Sequence, residues 1–305
     1  MGMVLAARTL VPDFVIGVIP DPQYEVSNNP TVWTSLCDWF AAQKDALNVK
    51  AVLTVGDNVN SSNQSTEWSR ASAGGATIEA AGIPYVPAIG NHDYDGDEVD
   101  RVATSFDANF GPNRFTGKSY YGGCYNNSHT NYYVKLDISY VKLLILVLEL
   151  FPTAAAVAWA AGIIDANTDR QAIILTHSYL TKGGNQTADN SAYGIDTYGF
   201  SHDDYNGQEL WAALVAPKAT VIAVVSGHDI STPLTAHRSD NNKAGKSIIQ
   251  TFQNYQAEAN GGDGWIGLMQ FSQADQQIHF TYYRTYEPSG LGYDEAKAFD
   301  ADWVS

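Results

Sequence analysis

The stretch YVPAIGNHD, residues 85–93, joins a short apolar run to the polar cluster Gly-Asn-His-Asp. Four other short apolar runs also stop at a polar cluster; they span residues 14–19, 51–55, 172–175 and 220–225. Continuous runs that are rich in β-branched residues and bounded by Gly or Pro are typical of strands buried on both faces. The sequence therefore predicts five buried strands, each followed by polar residues.

Helical patterns separate these runs. Asn29-Pro30 is a favourable helix start, and residues 152–164 and 206–211 predict two further helices. Strands that alternate with helices indicate βαβ units and a mainly parallel sheet, so the predicted fold class is α/β. A second group of strand-like runs predicts antiparallel pairing in a second sheet; it comprises residues 131–137, 140–148, 247–252, 265–271 and 277–284.

The composition of the 305 residues excludes several classes of protein. Hydrophobic residues make up 45% of the chain, which is enough for a substantial core and argues against global disorder. Acidic residues number 33 and basic residues 17, for a formal net charge of −16. Such a polyanion repels nucleic acid and anionic lipid at long range but attracts metal cations. No apolar run approaches the roughly 20 residues that a membrane-spanning helix needs.

The ends of the chain, its composition and its two cysteines give weaker indications of localisation, domain boundaries and disulfide pairing. Residues 1–8 lack the basic and apolar regions of a signal peptide. The acidic, lysine-poor composition nevertheless favours an exported protein, periplasmic or extracellular. We expect one domain over residues 1–286, followed by a C-terminal tail or linker over residues 287–305. Cys37 and Cys124 either pair with each other or remain two free thiols.

Residue types suited to metal binding follow all five predicted strands. They are two carboxylates, one amide and two imidazoles: Asp21, Asp57, Asn91, His177 and His228. In open α/β sheets, ligands bind beyond the carboxyl ends of the strands, so one sheet would bring these side chains into a single crevice. Helix capping explains an Asp or Asn at one strand end, but it does not require His177 and His228 at two others. The pattern therefore predicts a metal site.

The order and spacing of these motifs resemble the calcineurin-like metallophosphoesterases. The resemblance runs from about residue 14 to residue 284 and rests on Asp21, Gly56-Asp57-Asn58, Gly90-Asn91-His92-Asp93, His177 and Gly227-His228. Gly-Asn-His-Asp directly after a strand is the most specific of these motifs. Asp21-Pro22-Gln23 is similar to a bacterial branch with Asp-x-Gln in place of Asp-x-His. The resemblance implies a four-layer α/β/β/α sandwich of two mixed β-sheets flanked by helices.

The resemblance also implies the roles of individual residues. The implied metal ligands are Asp21, Gln23, Asp57, Asn91, His177 and His228. Asp57 would bridge two divalent ions; the amide and the two imidazoles would complete one site, and Asp21 with Gln23 the other. A metal-bound hydroxide would attack phosphorus, and His92 would be the general acid that protonates the leaving oxygen. The expected substrate is a small-molecule phosphate ester, either a diester or a monoester, rather than nucleic acid.

Three positions depart from the family's pattern. Gln23 and Ile230 stand where the family has histidine ligands, and Asn60 stands where many members have an aspartate that orients the catalytic histidine. The first two changes fall on the same metal site. Among Mn, Zn, Fe, Mg and Ca, we therefore expect one tightly bound ion and a second, weaker site that prefers the hard cations Mn²⁺, Mg²⁺ or Ca²⁺. His202 and His237 are the candidates for a replacement ligand.

The sequence leaves more than one function open. The first is metal-dependent hydrolysis of phosphate esters. The alternative is a catalytically degenerate member of the family that binds metal or ligand, because ligand positions have changed; a third is a module of a larger exported protein. Residues 182–205 follow His177, are rich in Gly, Asn, Asp and Tyr, and predict a lid or a wall of the substrate site.

Overall fold

The structure is a computed structural model that describes residues 13–230 and 232–303, so the chain start discussed above, residues 1–8, lies outside the described residues. Each of the five predicted apolar runs forms a strand whose ends lie within two residues of the predicted ones. The strands of the described residues are β1 (Phe14–Ile19), β2 (Val49–Thr54), β3 (Tyr85–Pro87), β4 (Tyr121–Tyr125), β5 (Ser128–Ile138), β6 (Val141–Leu148), β7 (Gln171–Thr176), β8 (Val221–Ser226), β9 (Thr235–Asn241), β10 (Ser247–Gln253), β11 (Trp265–Ser272), β12 (Gln277–Arg284), β13 (Gly292–Tyr293) and β14 (Phe299–Asp302).

The helices lie mostly between the strands, as the sequence predicts. The α-helices of the described residues are α1 (Gln23–Asn28), α2 (Pro30–Gln43), α3 (Ser65–Ala80), α4 (Thr104–Phe110), α5 (Pro112–Phe115), α6 (Ala154–Asp165), α7 (Ile195–Tyr198) and α8 (Gly207–Leu210). Residues Trp211–Val215 continue α8 as a π-helix. The Asn206 side chain accepts from the Glu209 backbone N–H, and the Glu209 carboxylate accepts from the Asn206 N–H, so this helix begins with a capping box.

The strands form two mixed sheets. In the first sheet the strand order is β13-β12-β11-β1-β2-β3, and β14 also pairs with β12; in the second it is β4-β5-β6-β7-β8-β10-β9. The expectation that one sheet holds all five motif strands is therefore wrong, because β1, β2 and β3 belong to the first sheet and β7 and β8 to the second. Apolar periodicity shows that a strand is covered on both faces, but it does not show which strands are its neighbours.

Three hydrophobic clusters separate four layers. Along β1, Phe14, Ile16 and Val18 pack against the second sheet, whereas Val15 and Ile19 pack against α2 and α3. Helix α6 and the π-helix cover the outer face of the second sheet. This alternation is what a central strand with two buried faces requires. The four-layer α/β/β/α sandwich implied by the sequence is thus confirmed.

Residues 287–303 contribute to the first sheet and to the core between the sheets. Strand β14 pairs antiparallel with β12, and the Trp303 ring, 1% exposed, packs on Phe14 and Phe271. The division of the chain at residue 286 stays a prediction. Cys37 is buried, Cys124 is half-buried, and both are free thiols. Within the described residues, no helix combines the length and apolar character needed to cross a membrane.

Candidate metal and active site

The predicted ligand residues meet at one edge of the sandwich, although they come from both sheets. Asp21 and Asp57 follow β1 and β2 of the first sheet, and His177 and His228 follow β7 and β8 of the second. Three of these residues have positive φ angles: 30° for Asp21, 52° for Asp57 and 80° for His228. Left-handed backbone is unfavourable for residues with a side chain, and it is concentrated at functional sites.

His177 is the centre of the cluster. Its Nδ1 donates to the Val55 carbonyl at 2.9 Å, which leaves the lone pair of a neutral ring on Nε2. Three other polar atoms surround Nε2: Asn91 Oδ1 at 3.1 Å, Asp57 Oδ1 at 3.3 Å and His228 Nδ1 at 3.0 Å. Ligand atoms bound at about 2.0–2.2 Å to a four-coordinate ion lie about 3.3–3.6 Å apart. The three distances from His177 Nε2 are therefore within a few tenths of an ångström of the spacing between two ligands of one ion.

Asp21 and Gln23 contact other members of the same cluster. Asp21 Oδ1 accepts from the His228 backbone N–H at 3.1 Å, and Gln23 Nε2 donates to Asp57 Oδ2 at 3.0 Å. Asp21 Oδ2, Gln23 Oε1 and His228 Nε2 are buried and have no hydrogen-bond partner among the described residues. Buried polar atoms are seldom left without a partner, so these three mark positions for a further ligand or ion.

Two glycines of the motifs make room for the carboxylates. A Cβ on Gly90 would lie 2.2 Å from Asp57 Oδ1, and a Cβ on Gly227 would lie 2.2 Å from Asp21 Oδ2. Both contacts are far inside van der Waals distance. The Gly-Asn-His-Asp and Gly-His motifs therefore need glycine because the backbone passes directly against a carboxylate.

Burial and mutual charge shift the pKa values of the cluster. Burial raises the pKa of Asp21 to about 8 and opposes ionisation of Asp57, but the charge and hydrogen bond of His177 hold the pKa of Asp57 below its ordinary value. Burial would lower the pKa of His177, yet Asp57 and Asp21 raise it to about 9. Burial and the charge of His177 lower the pKa of His228 to about 3. The two buried carboxylates can both be ionised at low cost only if positive charge lies nearby, and a divalent cation would supply it.

His92 lies beside the cluster and is held by the main chain. Its Nδ1 donates to the Asn60 carbonyl at 2.8 Å, and its backbone N–H donates to Asp57 Oδ1 at 3.0 Å. The main-chain carbonyl of Asn60 thus orients the ring without an aspartate side chain at position 60. His92 opens into a cleft of about 350 Å³ that also contacts Ser61, Ser62 and Glu98.

Both candidates for a replacement imidazole make contacts elsewhere. His237 stacks on Phe299 with ring centroids 3.7 Å apart, and the exposed His202 lies between Asp189 and Asp196. At the position of the missing histidine, the Ile230 carbonyl accepts from Lys182 Nζ at 3.2 Å. The residues after His228 thus hold the start of the 182–205 loop instead of an ion.

The 182–205 loop covers the cluster, as a lid or substrate wall would. The rings of Tyr193 and Tyr198 lie 5.7 Å and 5.1 Å from the His228 ring, measured between centroids. Asp204 anchors the end of the loop through a 3.0 Å ion pair with Arg101. Sequence reasoning assigned no role to either tyrosine or to Asn254, which donates to the His228 carbonyl at 3.4 Å. Position in a tyrosine-rich loop was the only signal for the rings, and it is weak.

Comparison with known proteins agrees with this geometry. Residues 14–256 match the family model described as "Calcineurin-like phosphoesterase". The chain is 28% identical over 277 residues to the uncharacterized protein YvnB of Bacillus subtilis (strain 168), an alignment that covers 90% of this chain and 20% of YvnB. The chain thus spans about a fifth of the length of this curated relative.

Two solved structures share the fold at low sequence identity. Purple acid phosphatase PPD1 from yellow lupin (Lupinus luteus) seeds superposes with a TM-score of 0.57 at 14% identity, over 95% of this chain and 54% of the plant protein. GAP50 of Plasmodium, described as the anchor in the inner membrane complex, gives a TM-score of 0.50 at 9% identity, over 96% and 89% of the two chains. At these identities the likeness concerns the fold alone.

Proposed function

The chain belongs to the calcineurin-like phosphoesterases, and from this premise we propose that it hydrolyses small-molecule phosphate esters with His92 as the general acid. Membership of the family supports metal-dependent phosphoester hydrolysis in general. The observation that carries the proposal for this chain is the convergence of Asp57, Asn91 and His228 on His177 Nε2 at 3.0–3.3 Å. Hydrogen bonding alone does not account for three ligand-type atoms gathered around one imidazole nitrogen.

The residues present fit divalent ions. Asp57, Asn91, His177 and His228 would hold one ion, and this set of one carboxylate, one amide and two imidazoles suits Zn²⁺, Fe or Mn²⁺. Asp21, Asp57 and the orphaned Oε1 of Gln23 would hold a second one, and an all-oxygen set prefers Mn²⁺, Mg²⁺ or Ca²⁺. When bound, such ions neutralise phosphoryl oxygens and lower the pKa of water. We expect the first site to be tight and the second weak.

His92 would supply the proton that the leaving alcohol needs. Since Nδ1 donates to the Asn60 carbonyl, the proton that moves is the one on Nε2. Burial lowers the pKa of His92, but Asp57 and the Asn60 carbonyl outweigh it and raise that pKa above its ordinary value, which favours the protonated ring near neutral pH. As water adds to phosphorus and the ester P–O bond breaks, this proton passes to the departing oxygen.

The test is hydrolysis of 4-nitrophenyl phosphate and bis(4-nitrophenyl) phosphate with and without added Mn²⁺. We expect metal-dependent turnover of at least one ester, and its loss in the Asp57→Asn variant. Asp169→Asn, which changes an exposed carboxylate paired with Lys142, is the matched control and should keep full activity. Absence of metal-dependent turnover of both esters would refute the proposal.

A degenerate, ligand-binding role is the second candidate, and the loss of imidazoles at Gln23 and Ile230 favours it. The number of bound ions per chain and the turnover at raised Mn²⁺, measured together, distinguish the two roles. One tightly bound ion per chain with no turnover at raised Mn²⁺ supports the binding role. One tight ion with turnover that rises with Mn²⁺ supports the enzyme. Two stoichiometric ions in the protein as purified would contradict the expected weak second site.

A further inference from the structure

The cleft beside His92 has a wall formed by the Asn60–Ser61–Ser62 segment. The lining also includes Glu98 and Tyr94, and the volume of about 350 Å³ accommodates a small alcohol or sugar. Because His92 lines this cleft, the cleft is where the group that receives the His92 proton would lie. Its chemistry therefore bears on the leaving group rather than on the phosphoryl group.

The main chain of this wall is held at four points. The N–H groups of Asn60 and Ser61 both donate to Glu67 Oε2, at 2.8 Å and 2.9 Å. The Asn60 carbonyl accepts from His92 Nδ1, and the Ser62 carbonyl accepts from the Trp68 indole N–H at 2.7 Å. A segment whose backbone is fixed in this way loses little conformational entropy when a ligand binds.

The side chains of the same segment are uncommitted. The Asn60 amide and the Ser61 and Ser62 hydroxyls are half-buried, and they make no hydrogen bond to another side chain or backbone group of the described residues. Glu98 is half-buried too and forms no ion pair within that part of the chain. Hydroxyl and amide groups both donate and accept hydrogen bonds, as alcohol hydroxyls do.

The charge of the cleft excludes anionic leaving groups. Among the described residues, its lining contains no Lys or Arg, and Glu98 is the only carboxylate there. A second phosphate or a carboxylate on the leaving group would meet this negative charge with no compensating cation. Tyr94, the one aromatic ring among the described lining residues besides His92, is only 1% exposed, so its face is not open for a nucleobase to stack on.

We propose that the site selects phosphate esters whose leaving alcohol is neutral and carries further hydroxyl groups, as in glycerol or a sugar. The hydroxyls would bind to Asn60, Ser61, Ser62 and Glu98 while the ester P–O bond breaks, a water oxygen joins phosphorus, and His92 Nε2 protonates the alcohol oxygen. This inference rests on the proposed function, because it assumes that His92 faces the leaving group.

The experiment compares two esters that differ only in hydroxyl groups, glycerol 3-phosphate and propyl phosphate, and their methyl diesters. With Mn²⁺ added, we expect kcat/KM to favour the glyceryl ester about tenfold or more, since each hydroxyl makes hydrogen bonds that the propyl chain lacks. A carboxylated analogue, 3-phosphoglycerate, should be hydrolysed more slowly than glycerol 3-phosphate. Glu98→Gln should reduce the difference in hydrolysis rate between 3-phosphoglycerate and glycerol 3-phosphate, because it removes the negative charge that repels the carboxylate.

The double variant Ser61→Ala, Ser62→Ala tests the wall itself. We expect the glyceryl-to-propyl ratio to fall toward one. Ser69→Ala, an exposed serine on α3 whose hydroxyl bonds only to the Ser65 carbonyl, is the matched control and should keep the wild-type ratio. An unchanged ratio in the double variant, equal rates for the two esters, or faster release of a nucleoside than of glycerol would each overturn the inference.

These outcomes are distinct from failure of the proposed function. If neither aryl phosphate is hydrolysed, the enzymatic proposal fails by itself. The wall is then tested by binding, through the Kd values of glycerol 3-phosphate and propyl phosphate for the Mn²⁺-loaded protein. Tighter binding of the glyceryl ester supports the inference, and equal Kd values contradict it.

Discussion

The side-chain amide of Gln23 donates a 3.0 Å hydrogen bond to Oδ2 of Asp57. It therefore does two things that a histidine ligand at this position would not do. Its amide nitrogen gives a hydrogen-bond partner to Oδ2 of Asp57, the carboxylate that both proposed ions would share. Its own Oε1 is buried and has no hydrogen-bond partner among the described residues. An amide oxygen is a weaker ligand for transition metals than an imidazole, so under the proposed function Gln23 would set the affinity of the second ion.

Replacement of this amide by imidazole should strengthen the second site. We expect Gln23→His to raise the bound Zn²⁺ or Mn²⁺ from about one to about two ions per chain at the same free metal concentration, because imidazole suits these ions better. Elemental analysis after gel filtration measures the stoichiometry. Gln208→His, an exposed glutamine on α8, is the control for adventitious binding by an added histidine. Equal metal content in wild type and Gln23→His would contradict the assignment.

The loss of activity caused by the His92→Asn substitution should depend on the leaving group of the ester. General acid catalysis contributes about 10²- to 10⁴-fold, so we expect a loss of that size for alkyl phosphate esters. The loss should be much smaller for bis(4-nitrophenyl) phosphate, because 4-nitrophenolate departs without a proton. Steady-state kinetics on the two esters gives the comparison, and His202→Asn, on the exposed loop, should change neither rate. An equal loss for both esters would show that His92 acts in another way.

The convergence of these ligand-type side chains was predictable from sequence because the residues occupy strand ends. A buried apolar run shows where a strand stops, and the residue after the stop lies at the edge of a sheet; Asp57, His177 and His228 were all identified in this way. Assignment of those strands to two sheets was not predictable, because burial on both faces looks the same in either sheet. The error changed the topology but not the site, since both sheets bring these ends to the same edge.

The hydrogen bond that orients His92 could not be predicted from the sequence. Asn60 looked like the loss of an orienting group, yet the ring is held by the Asn60 main-chain carbonyl. Every residue carries such a carbonyl, so no side-chain pattern signals it. The same applies to Ile230, whose carbonyl binds Lys182. Contacts made by the backbone depend on loop geometry, and a single sequence contains little information about it.

Arg101 should be a major support of the loop that covers the site. It pairs with Glu149 at 3.1 Å and Asp204 at 3.0 Å, and the Glu149 side chain is only 6% exposed. Removal of one partner from a buried ion pair typically costs about 3–5 kcal/mol, so we expect Arg101→Met to lower the free energy of unfolding by that order. Hydrogen exchange should rise in residues 189–204. Chemical denaturation and exchange mass spectrometry measure the two effects.

Two further variants separate charge burial from general loss of packing. Arg101→Met combined with Glu149→Gln should recover part of the stability, because the more deeply buried of the two carboxylates that Arg101 pairs with no longer carries a charge. Lys142→Ala breaks the exposed pair with Asp169 and should leave the free energy of unfolding almost unchanged. If the double variant were no more stable than Arg101→Met alone, the buried charge would not be the cause.

His129 should make the stability of the fold fall at acid pH. The ring is 0% exposed, donates from Nδ1 to the Phe110 carbonyl at 2.8 Å and accepts from the Tyr121 hydroxyl at Nε2. Burial lowers the pKa of His129 to about 4, against 6.5 in the unfolded chain. The stabilisation is thus complete above pH 6.5 and is lost as pH falls toward 4, by about 3 kcal/mol in total. In His129→Gln, which does not titrate, the free energy of unfolding should fall less over this range. The difference between the two denaturation series isolates His129, since all other groups titrate in both proteins, and parallel curves between pH 7.5 and 4.5 would contradict the assignment.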